Sequence, residues 1–166
     1  MTKRSKIAMG MAAGLVWSVM ILWLATGFVR LPVFALIPTI LVSFLAPGVV
    51  LLLMIARLSQ RRFFDDALID GGPLSGPAEI DQRVLRNTTE QLVLALCIWP
   101  ASSVVLAEDG SGVIMVLGLS FALTRLLFWV GYHRSPPLRA FGFAAGFYPT
   151  VIVLLWVLLT FAFGLG

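Results

Sequence analysis

Long apolar stretches alternate with short polar breaks along the chain, and this pattern predicts five helices long enough to cross a membrane. The predicted helices cover 7–29, 33–56, 81–106, 113–131 and 136–163. The first follows a basic start, as in a signal peptide, but its apolar run is too long for one and no clear small-x-small cleavage site follows. We therefore expect the first helix to be a retained transmembrane segment.

Proline, serine and glycine residues predict bends, helix starts and close contacts. Pro38 and Pro47 lie inside the second helix, where missing N–H groups predict kinks. Ser135 and Pro136 favour the start of the fifth helix, because serine caps helix N-termini and proline fits the first helical position. Gly10 and Gly14 have the spacing of a close helix contact, although two scattered glycines would look the same.

Residues 57–82 form the only long polar segment of the sequence. Its glycine and proline cluster at 71–77 predicts an ordered loop or a flexible link and not a helix. Its basic start indicates the cytoplasmic side, which also predicts a cytoplasmic N-terminus. The basic residues in or near the predicted cytoplasmic segments are Lys3, Arg4, Lys6, Arg57, Arg61, Arg62, Arg83, Arg134 and Arg139.

Composition indicates an all-α polytopic membrane protein. The chain has 166 residues, of which 60% are hydrophobic and 12% charged, with a mean hydropathy of +1.00. This length predicts one bundle and not two domains. The net charge of +4 does not indicate nucleic-acid binding, because the basic residues lie at the ends of apolar runs. The single cysteine, Cys97, and single histidine, His133, exclude an internal disulfide and predict no metal site.

Polar residues enter the third predicted helix together. Arg83, Asn87 and Glu90 fall on one helical face, and Arg86 precedes Glu90 by the four residues that suit an ion pair. A carboxylate inside a membrane helix costs several kcal/mol unless a cation meets it, so these residues are candidates for a functional site. The alternative is an arginine–glutamate pair that only holds helices together.

Depth in the predicted membrane span suggests a partner for Glu90. Glu90 lies roughly 10 Å into the third helix, and Arg125 lies roughly 10 Å into the fourth helix from the same side. We therefore expect a buried Glu90–Arg125 pair between the two helices. Other arginines at this level then have too few anionic partners, which suits a small anionic ligand. These arginines are Arg83, Arg86, Arg134 and Arg139.

Two motifs in this order resemble the MAPEG family, the membrane-associated proteins of eicosanoid and glutathione metabolism. The first motif is Arg83-x-x-x-Asn87-x-x-Glu90, and the second is Gly131-Tyr132-x-Arg134-Ser135-x-x-Leu138-Arg139. The segment 73–77 before the first motif is also similar. The resemblance covers about 33–166, which leaves 1–32 as an additional N-terminal transmembrane helix and turn.

The resemblance implies a four-helix membrane domain that assembles as a homotrimer and binds glutathione between subunits near the cytoplasmic face. Arg139 matches the arginine that stabilises the glutathione thiolate. Arg57 loosely matches a basic residue that reaches a neighbouring subunit's site. The residues matched to glutathione binding are Arg57, Arg83, Asn87, Glu90, Tyr132 and Arg134.

The residue types suit glutathione chemically. Arginine suits its two carboxylates, and a glutamate suits its ammonium group. Arg139, at a helix N-terminus after Ser135, places positive potential where a thiolate needs it. Read without the family pattern, Arg139 is an ordinary basic anchor at the cytoplasmic side.

These observations predict a glutathione-dependent transferase or peroxidase that acts on lipophilic electrophiles in a bacterial cytoplasmic membrane or an equivalent one. The apolar Phe128 and Trp129 stand where several eicosanoid enzymes have polar or tyrosine side chains, so no eicosanoid substrate is assigned. The additional helix either occludes the entrance from the lipid or packs outside it. A non-catalytic scaffold of the same fold is one alternative. A small transporter subunit is another, disfavoured because the polar groups cluster at one end.

Overall fold

The computed structural model describes residues 2–164, and these residues form helices and connections without any strand. Five helical segments are long and apolar enough to cross a membrane, which confirms the predicted all-α class and number of spans. The helices are α1 (Lys3–Phe28), α2 (Leu36–Ser43), α3 (Leu45–Phe63), α4 (Asp66–Ile69), α5 (Gly76–Val105), α6 (Gly110–Arg134) and α7 (Pro136–Phe163), with a 3-10 turn at Val33–Ala35. The end of the bundle where α1, α5 and α7 begin is called the amino-terminal end below.

The second predicted helix is divided into α2 and α3 at Phe44. Pro47 explains the division, because it has no N–H group to donate to the carbonyl of Ser43 one turn earlier. Gly118 of α6 packs directly against this carbonyl, where any side chain would collide. The break therefore allows α6 to approach α2 closely.

The polar segment is shorter than the sequence indicated. Helix α3 continues past 56 to Phe63, and α5 already starts at Gly76, so the predicted helix boundaries at 56 and 81 are wrong, whereas 71–75 lie outside helices as the glycine and proline cluster predicted. The connection is limited to 64–75, and Asp65 caps the short α4 by accepting a hydrogen bond from the Ala67 N–H at 3.2 Å. The polar residues that follow 56 therefore belong to a helix that extends beyond its apolar region. Basic residues in the last turn of α3 suit this position, because they interact favourably with a helix C-terminus.

Helix α1 is an integral part of the bundle. It runs parallel to α7 along most of its length and also contacts α6. A Cβ atom at Gly10 would collide with the Pro137 carbonyl, and one at Gly14 would collide with Ala144. These contacts confirm the close-packing interpretation of the two glycines.

The interior combines apolar side chains with many buried polar ones, most of them serine and threonine, and its large aromatic groups have defined partners. Trp99 of α5 is 1% exposed, stacks on Phe44 at a centroid distance of 5.6 Å, and donates a hydrogen bond to Thr150 Oγ1 at 3.0 Å. Closer to the amino-terminal end, Val84 and Phe128 form a second buried cluster. This second cluster supports the region where the predicted site residues lie.

Candidate functional site

Arg125 of α6 is completely buried and is bound by neighbouring helices. Its Nη1 donates to Asn87 Oδ1 of α5 at 3.0 Å, and its Nη2 donates to the carbonyl oxygen of Gly142 of α7 at 2.9 Å. A side chain at Gly146 would collide with the guanidinium group, and the Phe128 ring lies 4.8 Å from it. Arg125 thus connects three helices and fixes the orientation of the Asn87 amide.

The predicted Glu90–Arg125 pair is wrong. Glu90 is exposed on the outer side of α5, and no salt bridge joins it to Arg125 or Arg86, all of which the structure describes. The depth estimated from the sequence indicated that Glu90 and Arg125 lie at the same level of the bundle, but not that their side chains face each other. Asn87, one turn before Glu90, is the residue of α5 that faces Arg125.

A cavity of about 400 Å³ opens between α1, α5, α6 and α7 at the amino-terminal end. It brings together Asn87, Tyr132 and Arg139, three residues that the sequence assigned to one site. The guanidinium carbon of Arg139 lies over the Tyr132 ring, 4.8 Å from its centroid. The residues lining the cavity are Ile7, Met11, Asn87, Phe128, Tyr132, Arg139, Ala140 and Phe143.

A tight connection between α6 and α7 explains why Tyr132 and Arg139 meet. Only Ser135 separates the two helices, and the Arg139 N–H donates to its carbonyl at 3.0 Å in the first turn of α7. Gly131 lies against the backbone of Arg139, where a Cβ atom would collide. Ser135 is the N-terminal residue that flanks α7, as predicted, but its side chain makes no capping hydrogen bond.

The other predicted site residues lie outside this cavity. Arg83 is exposed and pairs with Glu79 at 2.6 Å, and Glu90 is exposed nearby on α5. Arg57 lies within α3 and donates to Gln60 Oε1 at 2.8 Å. Arg134 lines a separate basic cavity beside the start of α1. A single chain therefore assembles only part of the predicted glutathione site.

The model of the MAPEG family matches residues 35–159 of the chain. The chain belongs to the MAPEG family. Comparisons with curated proteins and with solved structures found no significant match. The match and the five apolar helices make it an integral multi-pass membrane protein. Helix α1 lies entirely before the matched residues.

This MAPEG protein also contains a buried carboxylate that the sequence reasoning did not single out. Asp81 of α5 has a side chain 3% exposed, and Arg61 Nε of α3 lies 2.6 Å from its Oδ2. Trp129 Nε1 and His133 Nε2 of α6 each lie 2.8 Å from its Oδ1. Trp129 and His133 are four residues apart and face α5 from one side of α6. This spacing is the signal in the sequence that could have revealed a shared partner. Asp81 thereby holds three helices of the MAPEG protein together.

The cavity of the MAPEG protein combines polar groups at one end with an apolar wall. Arg139 supplies a cation and Tyr132 a phenolic hydroxyl group. Because Asn87 Oδ1 accepts from Arg125, the amide N–H groups of Asn87 are left to donate to a ligand. Ile7 and Met11 of the additional helix, with two phenylalanines, provide the apolar surface. The arrangement suits an anionic or thiol-bearing group next to an apolar molecule.

Proposed function

We propose that this MAPEG protein is a membrane-embedded glutathione-dependent transferase or peroxidase that acts on lipophilic electrophiles. The observation that carries the proposal is the cavity in which Arg139, Tyr132 and Asn87 face an apolar wall. Membership in the MAPEG family supports glutathione as the thiol. The apolar wall suits a co-substrate that enters from the bilayer.

Arg139 activates the thiol in this proposal. A free thiol has a pKa of about 8.5 and is mostly protonated at neutral pH. A guanidinium group in the first turn of a helix stabilises the thiolate and raises its fraction. The thiolate attacks an electrophilic carbon, forms the carbon–sulfur bond, and the leaving group departs with its electron pair. With a peroxide, the thiolate attacks one oxygen and an alkoxide leaves, which gives the sulfenic acid of glutathione. A second glutathione then attacks this sulfur, forms the disulfide and releases the sulfenic oxygen as water.

A homotrimer supplies the rest of the site. Arg83, Arg86 and Glu90 share an outward face of α5, and Glu90 lies about 21 Å along the helix from its start at Gly76. Lipid cannot solvate such groups, so a neighbouring subunit has to cover them. Glutathione at this boundary places its ammonium group near Glu90 and its carboxylates near arginines, including Arg57 of a neighbour.

The proposed site faces the cytoplasm of a bacterial cell. Positively charged residues concentrate at the amino-terminal end of the bundle, and only Arg30 flanks the opposite end, as the positive-inside rule requires for a cytoplasmic N-terminus. Cytosolic glutathione then reaches the cavity directly, while the lipophilic co-substrate arrives through the membrane.

Thiolate absorbance in the ultraviolet tests the proposal. Glutathione added to the purified protein at neutral pH should produce a thiolate band, and Arg139→Ala should remove most of it while much of the binding remains. Arg30→Ala, which removes an exposed arginine at the other end, is the matched control and should keep the band. Turnover with an electrophile should fall with the band.

Two outcomes of this experiment contradict the proposal in different ways. Glutathione that binds but titrates as in water would indicate a non-catalytic scaffold of the same fold. A protein that neither binds glutathione nor turns over an electrophile would leave the transporter alternative. Mass measurement in nanodiscs tests assembly separately, and a clean monomer contradicts the intersubunit site.

A further inference from the structure

We propose that a second cavity, formed by the start of α1 and the α6–α7 junction, binds the phosphate group of an anionic phospholipid. This cavity has a volume of about 400 Å³ and lies at the amino-terminal end. Two of its three charged residues, Lys3 and Lys6, belong to α1, which lies before the residues that the MAPEG family model matches. The lining residues are Lys3, Lys6, Arg134, Ser135, Pro136 and Pro137.

The charge of this cavity is uncompensated within the chain. Lys3 and Lys6 of α1 and Arg134 of α6 line it, and no acidic residue does. Within residues 2–164, none of these three cations forms a salt bridge. Lys3 and Lys6 are three residues apart on the helix, so their like charges repel each other. A bound phosphodiester adds one negative charge, which reduces this repulsion, and its oxygens can accept hydrogen bonds from all three cations.

The side chains that line the cavity provide the donors that a phosphate needs. Two ammonium groups and one guanidinium fork are strong donors to phosphate oxygens. The Ser135 hydroxyl makes no capping hydrogen bond and remains able to donate. Pro136 and Pro137 have no N–H groups, so recognition depends on side chains and not on the backbone of the helix end.

The basic cavity is separate from the cavity that contains Arg139. The two cavities share no lining residue. On α1, Lys6 lines the basic cavity, whereas Ile7 and Met11 line the Arg139 cavity. Arg134 and Arg139 therefore line different cavities of one chain, and the proposal assigns Arg134 to the lipid phosphate.

The position of the cavity favours a lipid over a soluble anion. The apolar part of α1 begins directly after Lys6, which places the three cations at the level of the headgroups. Met9 and Val16 follow Lys6 along the same side of α1 and are 56% and 68% exposed, so acyl chains have an apolar surface to contact. Basic pockets between membrane helices at the cytoplasmic side are a recognised way to bind anionic headgroups.

Native mass spectrometry of the full-length protein with phosphatidylglycerol and phosphatidylcholine tests this proposal. The parent protein should retain phosphatidylglycerol preferentially. The triple variant Lys3→Gln, Lys6→Gln, Arg134→Gln should lower its affinity about tenfold. A charge-matched triple variant, Arg4→Gln, Arg30→Gln, Arg62→Gln, removes three exposed arginines that do not line the cavity, and should change the affinity less than about twofold.

Three results overturn the proposal. The first is equal retention of the two lipids by the parent protein. The second is an equal loss in both triple variants, which indicates general charge attraction. The third is complete displacement of the lipid by inorganic phosphate at millimolar concentration, which indicates a soluble anion. Lys6→Gln alone, which retains two of the three cations, should lower the affinity about threefold and provides the test if the triple variant does not fold.

Discussion

The inner and outer sides of α5 both carry polar residues into the membrane span, but Asp81 and Asn87 on the inner side bind groups of other helices, whereas Arg83 on the outer side pairs within α5, with Glu79. On the inner side, Asp81 binds groups of α3 and α6, and Asn87 accepts from Arg125. On the outer side, Arg86 and Glu90 are exposed and have no salt bridge within the described part of the chain. The inner residues determine how one chain packs, whereas the outer residues would meet a second subunit in the proposed homotrimer.

The two sides also differ in what a substitution should affect. An inner partner is surrounded by protein, so its loss leaves a buried group uncompensated and reduces the stability of the fold. Arg86 and Glu90 on the outer side have no salt-bridge partner within the described part of the chain, so substitution of either should change glutathione binding or assembly and leave the fold intact. Stability and ligand affinity measured on the same variants separate these effects.

Asp81→Asn should produce the largest effect, on stability. The substitution removes the anion between Arg61 and His133, and we expect the free energy of unfolding to fall by about 3 kcal/mol. Denaturant unfolding in detergent micelles measures this change. Asp70→Asn, at an exposed aspartate of the polar connection, is the matched control and should leave the midpoint unchanged. Equal stability of the Asp81 variant and the parent protein would show that the inner network contributes little.

Glu90→Gln should produce an intermediate effect, on ligand binding and not on stability. We expect the glutathione affinity to fall about tenfold, since the carboxylate that meets the ammonium group is lost. Thermal unfolding without ligand should match the parent, because Arg125 is bound by Asn87 and Gly142 and not by Glu90. Glu108→Gln, at the opposite end, is the control for both measurements. Ligand-free destabilisation by Glu90→Gln alone contradicts the division between the two sides.

Met11→Trp should produce the smallest effect, on substrate size. A larger side chain on α1 narrows the cavity in front of Arg139, so we expect kcat/KM to fall about threefold for a bulky electrophile relative to a small one. Met9→Trp, on the other side of α1 and 56% exposed, should not change this ratio. An unchanged ratio in the Met11 variant would indicate that α1 does not contact the electrophile.

Hydrophobic pattern predicted the number and order of the membrane helices because five long apolar runs admit few other interpretations. It did not predict where α3 ends or α5 begins, since helices continue into water wherever polar side chains allow it. The resemblance to the MAPEG family implied that Asn87, Tyr132 and Arg139 belong to one site, and all three line one cavity. It could not predict that Arg134, five residues before Arg139, faces a different cavity, because helix α1 lines both cavities and its docking is not encoded in either motif.

The contact between α1 and α7 has a consequence for the biosynthesis of the protein. Gly14 and Ala144 are in contact although they lie far apart in the sequence. The packing of α1 against α7 can therefore form only after the last helix has been synthesised. Both cavities border this contact and are completed last. A nascent chain that lacks α7 therefore leaves Gly10 and Gly14 of α1 without the helix against which they pack.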